Sequence, residues 1–265
     1  MAVGNLIIIG GAEDKKGECT ILRTFVGLSG KEPRITVITT ATENPEMVGN
    51  QYKEVFAGLG AANTQILNIN SRDDANMDEN ARIIFESSGI FFTGGDQLRI
   101  TSILGGTKVY KALHAANKAG VVIAGTSAGA SAMSRTMIVE GNDNDAARKC
   151  TLKMAPGLGL LEEALIDQHF HQRGRIGRLT CGVAENPSIL GIGIDEDTAI
   201  RVFPDNHFEV IGSNSVTVVD GRHIKSSNVS ELKPDENLAI SNIIIHVLPK
   251  GYGYNLNTGE VIRIY

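Results

Sequence analysis

The chain has 265 residues, which is enough for one large α/β domain or two small ones. Charged residues make up 21% and the net charge is −5, so the composition indicates neither nucleic acid nor a membrane surface as a partner, and no apolar run approaches the roughly 20 residues that span a bilayer. The three cysteines are odd in number and far apart, which argues against a disulfide framework and predicts a reducing, cytoplasmic location; they are Cys19, Cys150 and Cys181.

Short apolar runs divide the first half of the chain. They predict strands at 5–11, 34–41, 64–69, 89–95 and 120–126. These runs are continuous rather than alternating, as expected for parallel strands buried on both faces. Helices are predicted between them at 20–28, 45–59, 75–87 and 108–119. This alternation predicts a doubly wound, mostly parallel sheet with helices on both faces.

The second half has a different pattern. Residues 189–219 carry short strands close together, with Pro204-Asp205-Asn206 as a hairpin turn, which indicates antiparallel strands at one edge of the sheet. The polar and then glycine-bearing stretch 140–160 predicts a long loop with a helical piece. Neither a repeat nor a linker divides the chain, so residues 1–265 are expected to form a single domain.

The fifth predicted strand runs into Gly125-Thr126-Ser127-Ala128-Gly129, which matches the Gly-x-Ser-x-Gly pattern of a nucleophile elbow. A sharp strand-to-helix turn brings neighbouring backbone into contact, so only glycine fits two residues either side of the serine. Ser127 would then project at the carboxyl end of a strand, where ligands bind, with the N–H of Ala128 placed to stabilise an oxyanion. The alternative is a packing turn in which the serine caps the helix.

A serine nucleophile needs a base, and the sequence ALIDQHFHQ at 164–172 offers one. As a strand, this segment places Asp167, His169 and His171 on one face, and the spacing does not choose between the two histidines. The same three residues are also candidate metal ligands. A metal-dependent hydrolase is therefore an alternative to a serine enzyme.

Three arginines follow this segment at Arg173, Arg175 and Arg178. Their charges oppose a cation site and favour an anion, such as a substrate carboxylate held by guanidinium groups. The alternative is a solvated, basic start of a helix.

Two more predicted strands end in polar residues. One ends in Asp195-Glu196-Asp197, and one of these carboxylates can orient the histidine unless the run is simply a solvated turn. In the other, the Gly94-Gly95 backbone can approach a ligand, Asp96 suits a helix N-cap and Gln97 can present its amide to a substrate. A packing turn is again the alternative.

Taken together, these segments resemble the cyanophycinases, serine exopeptidases related to the α-aspartyl dipeptidases. The matching stretches are GTSAGAS around Ser127, FFTGGDQ at 91–97, DQHFHQRGRIGRL at 167–179, GIGIDEDTA at 191–199 and the opening IIIGGAEDK at 7–15. The resemblance implies an α/β fold similar to flavodoxin and class I glutamine amidotransferases, a homodimer, and no metal or other cofactor. It implies hydrolysis of cyanophycin, a poly-aspartate whose side-chain carboxyls carry arginine, to β-Asp-Arg dipeptides.

The resemblance also implies roles for individual residues. Ser127 would be the nucleophile, His169 the general base and Glu196 the acid that orients it. Backbone N–H groups would form the oxyanion hole, at Gly95, Asp96 and Ala128. The positions that match the family's substrate pocket are Gln97, Asp167, Gln168, Arg173, Arg175 and Arg178. An aspartyl dipeptidase acting on small Asp-X or isoaspartyl peptides, and a non-catalytic binding protein on the same fold, remain alternatives.

Overall fold

The computed structural model describes residues 4–143, 146–148, 152–233 and 235–264, so Cys150 lies outside the described residues. The helices are α1 (Thr20–Leu28), α2 (Pro45–Gly58), α3 (Arg72–Ala75), α4 (Asp78–Glu86), α5 (Gln97–Leu104), α6 (Lys108–Lys118), α7 (Ala128–Ala132) and α8 (Ile176–Glu185). The strands are β1 (Leu6–Ile9), β2 (Arg34–Ile38), β3 (Asn63–Leu67), β4 (Gly89–Phe92), β5 (Val122–Thr126), β6 (Thr136–Gly141), β7 (Leu152–Pro156), β8 (Ala164–Gln168), β9 (Leu190–Ile194), β10 (Thr198–Val202), β11 (His207–Gly212), β12 (Ser215–Asp220), β13 (Ser226–Ser227), β14 (Ile240–Ser241), β15 (Ile244–Pro249), β16 (Tyr252–Asn255) and β17 (Val261–Arg263).

The main sheet has the strand order β17-β16-β11-β10-β1-β5-β4-β2-β3. The five strands from β1 to β3 in this order are parallel. The remaining four continue the sheet as an antiparallel edge. The predicted fold class, a mostly parallel α/β sheet with antiparallel edge strands, is therefore confirmed.

The central strand β1 is buried on both faces, as its unbroken apolar sequence predicts. Leu6 and Ile8 belong to one hydrophobic cluster, which includes side chains of α4 and α6, while Ile7 and Ile9 belong to another, which includes side chains of α1 and α2. Burying a side chain of this size stabilises the fold by about 1.5–3 kcal/mol. The helices on the two faces thus fix β1, and with it the loop that follows.

A second sheet, in the order β15-β12-β9-β8, was not expected. The antiparallel-edge interpretation holds for β10 and β11, whereas β9 and β12 pair with each other away from the main sheet. Glycines explain part of the packing, because a Cβ on Gly193 would lie 2.4 Å from the ring of Phe170. The loop expected at 140–160 is wrong for 140–141 and 152–156, where β6 and β7 form an antiparallel pair, and residues 144–145 and 149–151 of that stretch lie outside the described residues.

The two sheets meet where β1 and β5 of the main sheet and β8 and β9 of the second sheet end. The N–H of His169, just beyond β8, donates to the carbonyl of Gly10, just beyond β1, at 2.8 Å. The N–H of Phe170 donates to the carbonyl of Ile194, the last residue of β9, at 3.1 Å. The candidate site lies at this junction.

In the part of the chain that the structure describes, no helix has the length and apolar character needed to cross a bilayer.

Candidate active site

The turn between β5 and α7 holds Ser127 in a backbone conformation that serine rarely adopts, with φ 53° and ψ −112°. A Cβ on Gly125 would lie 2.5 Å from the carbonyl oxygen of Gly129, and one on Gly129 would lie 2.6 Å from that of Phe92. Both positions therefore require glycine. The serine side chain makes no capping hydrogen bond to α7, so the helix-capping alternative does not explain it.

The Ser127 hydroxyl faces the imidazole of His169, with 3.0 Å between Oγ and Nε2. The expected strand does not continue to residue 172, because β8 ends at Gln168 and His169 has φ 48°. This left-handed turn aims His169 at the serine. It also breaks the alternation that put both histidines on one face, and His171 is exposed.

The parallel pairing of β8 and β9 brings an acid to the histidine. Gln168 is in register with Ile194, so Glu196 leaves the second sheet beside His169, and its Oε1 lies 2.6 Å from Nδ1. The two neighbouring carboxylates point elsewhere: Asp195 accepts from Ser215, and Asp197 accepts from the N–H of Asp14. Of the three acids in this run, Glu196 contacts the imidazole.

The surroundings favour the neutral form of the histidine. Burial lowers the pKa of His169 below its ordinary value of 6.5. The hydrogen bond with Glu196 raises this pKa, but burial has the larger effect. The positive charge of Arg173 lowers this pKa further. A neutral imidazole that donates from Nδ1 to Glu196 presents a proton acceptor at Nε2, toward the serine.

The turn after β4 lies against the serine. A Cβ on Gly94 would be 3.4 Å from that of Ser127, and Gly95 has φ 141°. The N–H of Asp96 donates to the carbonyl of Ala41 at 2.9 Å, so the expectation that this group contributes to an oxyanion hole is wrong. The Asp96 side chain instead caps α5, as its position suggested. Within the described residues, the N–H groups of Gly95 and Ala128 have no protein acceptor.

Asp167, Arg175 and Arg178 form a buried ion cluster rather than a substrate-facing surface. They are 1%, 5% and 7% exposed, respectively. Arg178 donates to both carboxylate oxygens of Asp167, and Arg175 donates to the carbonyl of Gln168 at 2.6 Å. Asp143 accepts from Arg175 at 2.7 Å. The expectation that these three side chains grip substrate is not met, because each is already paired below the turn that carries His169.

The remaining predicted substrate contacts are Gln97, Gln168 and Arg173. The amide nitrogen Nε2 of Gln97 donates to the backbone carbonyls of Ile138 and Val139, each at 2.9 Å, which leaves Oε1 as an acceptor. The Oε1 of Gln168 lies 3.5 Å from the Ser127 hydroxyl, and Arg173 is exposed.

Sequence reasoning gave no role to Glu13 or to Asp143. Glu13 follows β1 and two glycines, so its place at the carboxyl edge of the parallel strands was a usable signal. Asp143 had no such signal, because the Arg175 contact joins it to a distant part of the chain. The described residues contain no cluster of three or more His, Cys, Asp or Glu side chains suited to a metal.

The sequence model that describes peptidase family S51 matches residues 6–211 of this chain. A cyanophycinase from Trichormus variabilis is 39% identical over 97% of this chain and 87% of its own, and one from Geminocystis herdmanii is 36% identical over 97% and 95%. The crystal structure of a peptidase from an acI-B1 Actinobacterium has a TM-score of 0.72 at 21% identity, covering 99% of this chain and 98% of that one, and so shares the fold. The expected family is confirmed: the chain belongs to peptidase family S51.

Proposed function

We propose that this chain is a serine exopeptidase that hydrolyses cyanophycin to β-Asp-Arg dipeptides through an acyl-enzyme on Ser127. The observation that carries the proposal is the hydrogen-bonded series from Ser127 through His169 to Glu196, with separations of 3.0 and 2.6 Å. The 36–39% identity to cyanophycinases across 97% of the chain supports the choice of substrate.

In the first step, Nε2 of His169 takes the hydroxyl proton while Oγ of Ser127 attacks an aspartyl carbonyl carbon. Negative charge develops on the carbonyl oxygen of the tetrahedral intermediate. The N–H groups of Gly95 and Ala128 are free among the described residues and flank the serine, so they are the proposed oxyanion donors.

The imidazolium then gives its proton to the leaving amine, and the C–N bond breaks. Water attacks the resulting ester with His169 again as base, which frees the serine and completes the cycle. Glu196 accepts from Nδ1 throughout, so it holds the productive tautomer and stabilises the cationic ring.

Substrate recognition falls to the polar groups that are not already paired within the protein. The exposed Arg173 supplies a cation for a substrate carboxylate. The free Oε1 of Gln97 supplies an acceptor for the guanidinium branch, and Gln168 lies beside the nucleophile. The cluster of Asp167, Arg175 and Arg178 is proposed to support this surface from beneath.

The test is to incubate the purified protein with cyanophycin granules and, separately, with Asp-X dipeptides, and to identify products by mass. We expect β-Asp-Arg from cyanophycin, no effect of a chelator, and a loss of roughly 10⁶-fold in turnover for Ser127→Ala. Near-normal turnover by that variant would refute the nucleophile. Cleavage of Asp-X peptides alone would favour the aspartyl dipeptidase, and loss with a chelator would favour a metal-dependent hydrolase.

A homodimer and a cytoplasmic location are part of the proposal. The edge strand β15 exposes Ile244, Ile245 and Val247, a surface typical of a subunit contact. Among the described residues, Cys19 is a buried, free thiol, as suits a reducing compartment. Light scattering after gel filtration tests the dimer, with a monomeric mass as the contrary result, and cell fractionation tests the location.

A further inference from the structure

Glu13 lies at the centre of a buried polar cluster beside the catalytic turn. Its side chain accepts hydrogen bonds from Tyr52 Oη and Thr126 Oγ1, each at 2.5 Å, and pairs with Lys15 Nζ at 2.9 Å. We call Glu13, Lys15, Tyr52 and Thr126 the Glu13 cluster. Glu13 itself is 4% exposed. The cluster joins the loop after β1 to α2 and to the last residue of β5, which directly precedes Ser127.

The tyrosine in this cluster packs among aromatic rings. Its ring packs 4.6 Å from that of Phe91 and 5.9 Å from that of Phe56, measured between centroids. Burial, and then the charge of Glu13, raise the pKa of Tyr52 well above its ordinary value, so its hydroxyl remains a donor. Glu13 is thus anchored to the hydrophobic layer between α2 and the main sheet.

The end of β1 and the loop after it, which carries Glu13, accept hydrogen bonds from the backbone of Ser127, of His169 and of the residue next to Glu196. The carbonyl of Ile9 accepts from the N–H of Ser127 at 3.0 Å, and that of Gly10 accepts from the N–H of His169 at 2.8 Å. The carbonyl of Gly11 accepts from the N–H of Asp197, next to Glu196, at 2.9 Å. The Gly11 Cα also lies against the imidazole, because a Cβ there would be 2.4 Å from Cε1 of His169.

We propose that Glu13 is a positioning residue for the serine chemistry: by tying Tyr52 and Thr126 to the loop after β1, it sets the distance between Ser127 and His169. Its oxygens bond within the protein, and it contacts neither member of that pair. This inference rests on the proposed function, since it concerns the same serine. A displacement of about 1 Å between reacting groups can lower a rate by roughly 10²-fold, so a modest movement of this loop is sufficient.

The experiment compares Glu13→Ala and Glu13→Gln with a matched control, Asp220→Ala. Asp220 is also a buried carboxylate, 3% exposed, that accepts from an arginine, Arg222, and a tyrosine, Tyr254. Asp220 is the last residue of β12. The first residue of that strand, Ser215, is the one that bonds to Asp195, next to Glu196. Four quantities are measured for each protein: kcat, KM, the melting temperature, and the rate at which a fluorophosphonate labels Ser127.

We expect Glu13→Ala to lower kcat and the labelling rate in parallel by roughly 10- to 100-fold, with KM within about threefold of wild type. Glu13→Gln should recover most of both rates, because its amide can bond to both hydroxyls. Asp220→Ala should lower the melting temperature by a similar amount and leave kcat and the labelling rate at their wild-type values. Wild-type rates in folded Glu13→Ala, an equal loss in Asp220→Ala, or a change in KM alone would overturn the proposal.

A second pair covers the case in which Glu13→Ala does not fold. Thr126→Val removes the hydroxyl that bonds to Glu13, and Thr126→Ser keeps it. The valine variant should show the same parallel loss of kcat and labelling, and the serine variant should not; equal rates in the two would overturn the proposal. If the wild-type protein is not labelled at all, the proposed function fails instead, so the two failures are distinguishable.

Discussion

Replacing Asp167 with alanine should destabilise the fold strongly, because its carboxylate is the shared partner of two buried guanidinium groups. It is 1% exposed and is bonded by Arg178 through two nitrogens and by Arg175 at 3.4 Å. Removing one partner of a buried ion pair costs about 3–5 kcal/mol of unfolding free energy. For a chain near this size, about 2–4 °C of melting temperature is lost per kcal/mol, so the expected decrease is about 6–20 °C.

The measurement is urea and thermal unfolding followed by far-ultraviolet circular dichroism, since the chain contains no tryptophan. Asp143→Ala is the matched control: its side chain is 38% exposed and contacts the same arginines, so its removal should cost about 1 kcal/mol or less. If the free energy of unfolding of Asp167→Ala lies within about 1 kcal/mol of the wild-type value, the cluster of Asp167, Arg175 and Arg178 does not hold the fold together. Wild-type stability with a raised KM would return Asp167 to the substrate-contacting role that its motif implied.

Three further predictions concern the proposed catalytic series of Ser127, His169 and Glu196. Glu196→Gln should lower kcat by roughly 10³- to 10⁴-fold with little change in KM, and a loss below tenfold would contradict the role of the acid. The acid limb of kcat/KM should have its midpoint below pH 6.5, because burial lowers the pKa of His169 and activity is lost only as pH falls through that lowered value; a midpoint at or above 6.5 would be contrary. Gly11→Ala should lower kcat by roughly 10²-fold, since its Cβ would lie 2.4 Å from Cε1 of His169, and unchanged turnover would show that the ring can move freely.

Local sequence patterns predicted the parallel part of the main sheet because these strands are set by local features. Each parallel strand is an unbroken apolar run ended by glycine or polar residues, and the structure reproduces all five of those predicted in the first half. The second sheet depends on contacts that no local pattern records. β9 and β10 are separated by three residues and yet belong to different sheets, because Asp197 has φ 48° and turns the chain between them.

The same distinction applies to the site. The serine turn was predictable because its geometry depends on five consecutive residues and on glycines at fixed positions within them. The choice of His169 over His171 depends on a left-handed backbone turn that alternation does not anticipate. Arg175 and Arg178 have the spacing of a solvated or anion-binding helix start, and only the tertiary contact with Asp167 decides that they are buried.

Backbone strain is concentrated where the chemistry is proposed to occur. Among the described residues, the amino acids with positive φ other than glycine, asparagine and aspartate are Ala12, Cys19, Ser127 and His169. Each such conformation costs about 1–2 kcal/mol, so it persists only where neighbouring bonds offset it. For Ser127 and His169, the offsetting bonds are to the carbonyls of Ile9 and Gly10. The strain in the proposed catalytic pair is therefore balanced by the end of β1, and whatever fixes the loop after β1 also fixes the distance across which the proton is proposed to move.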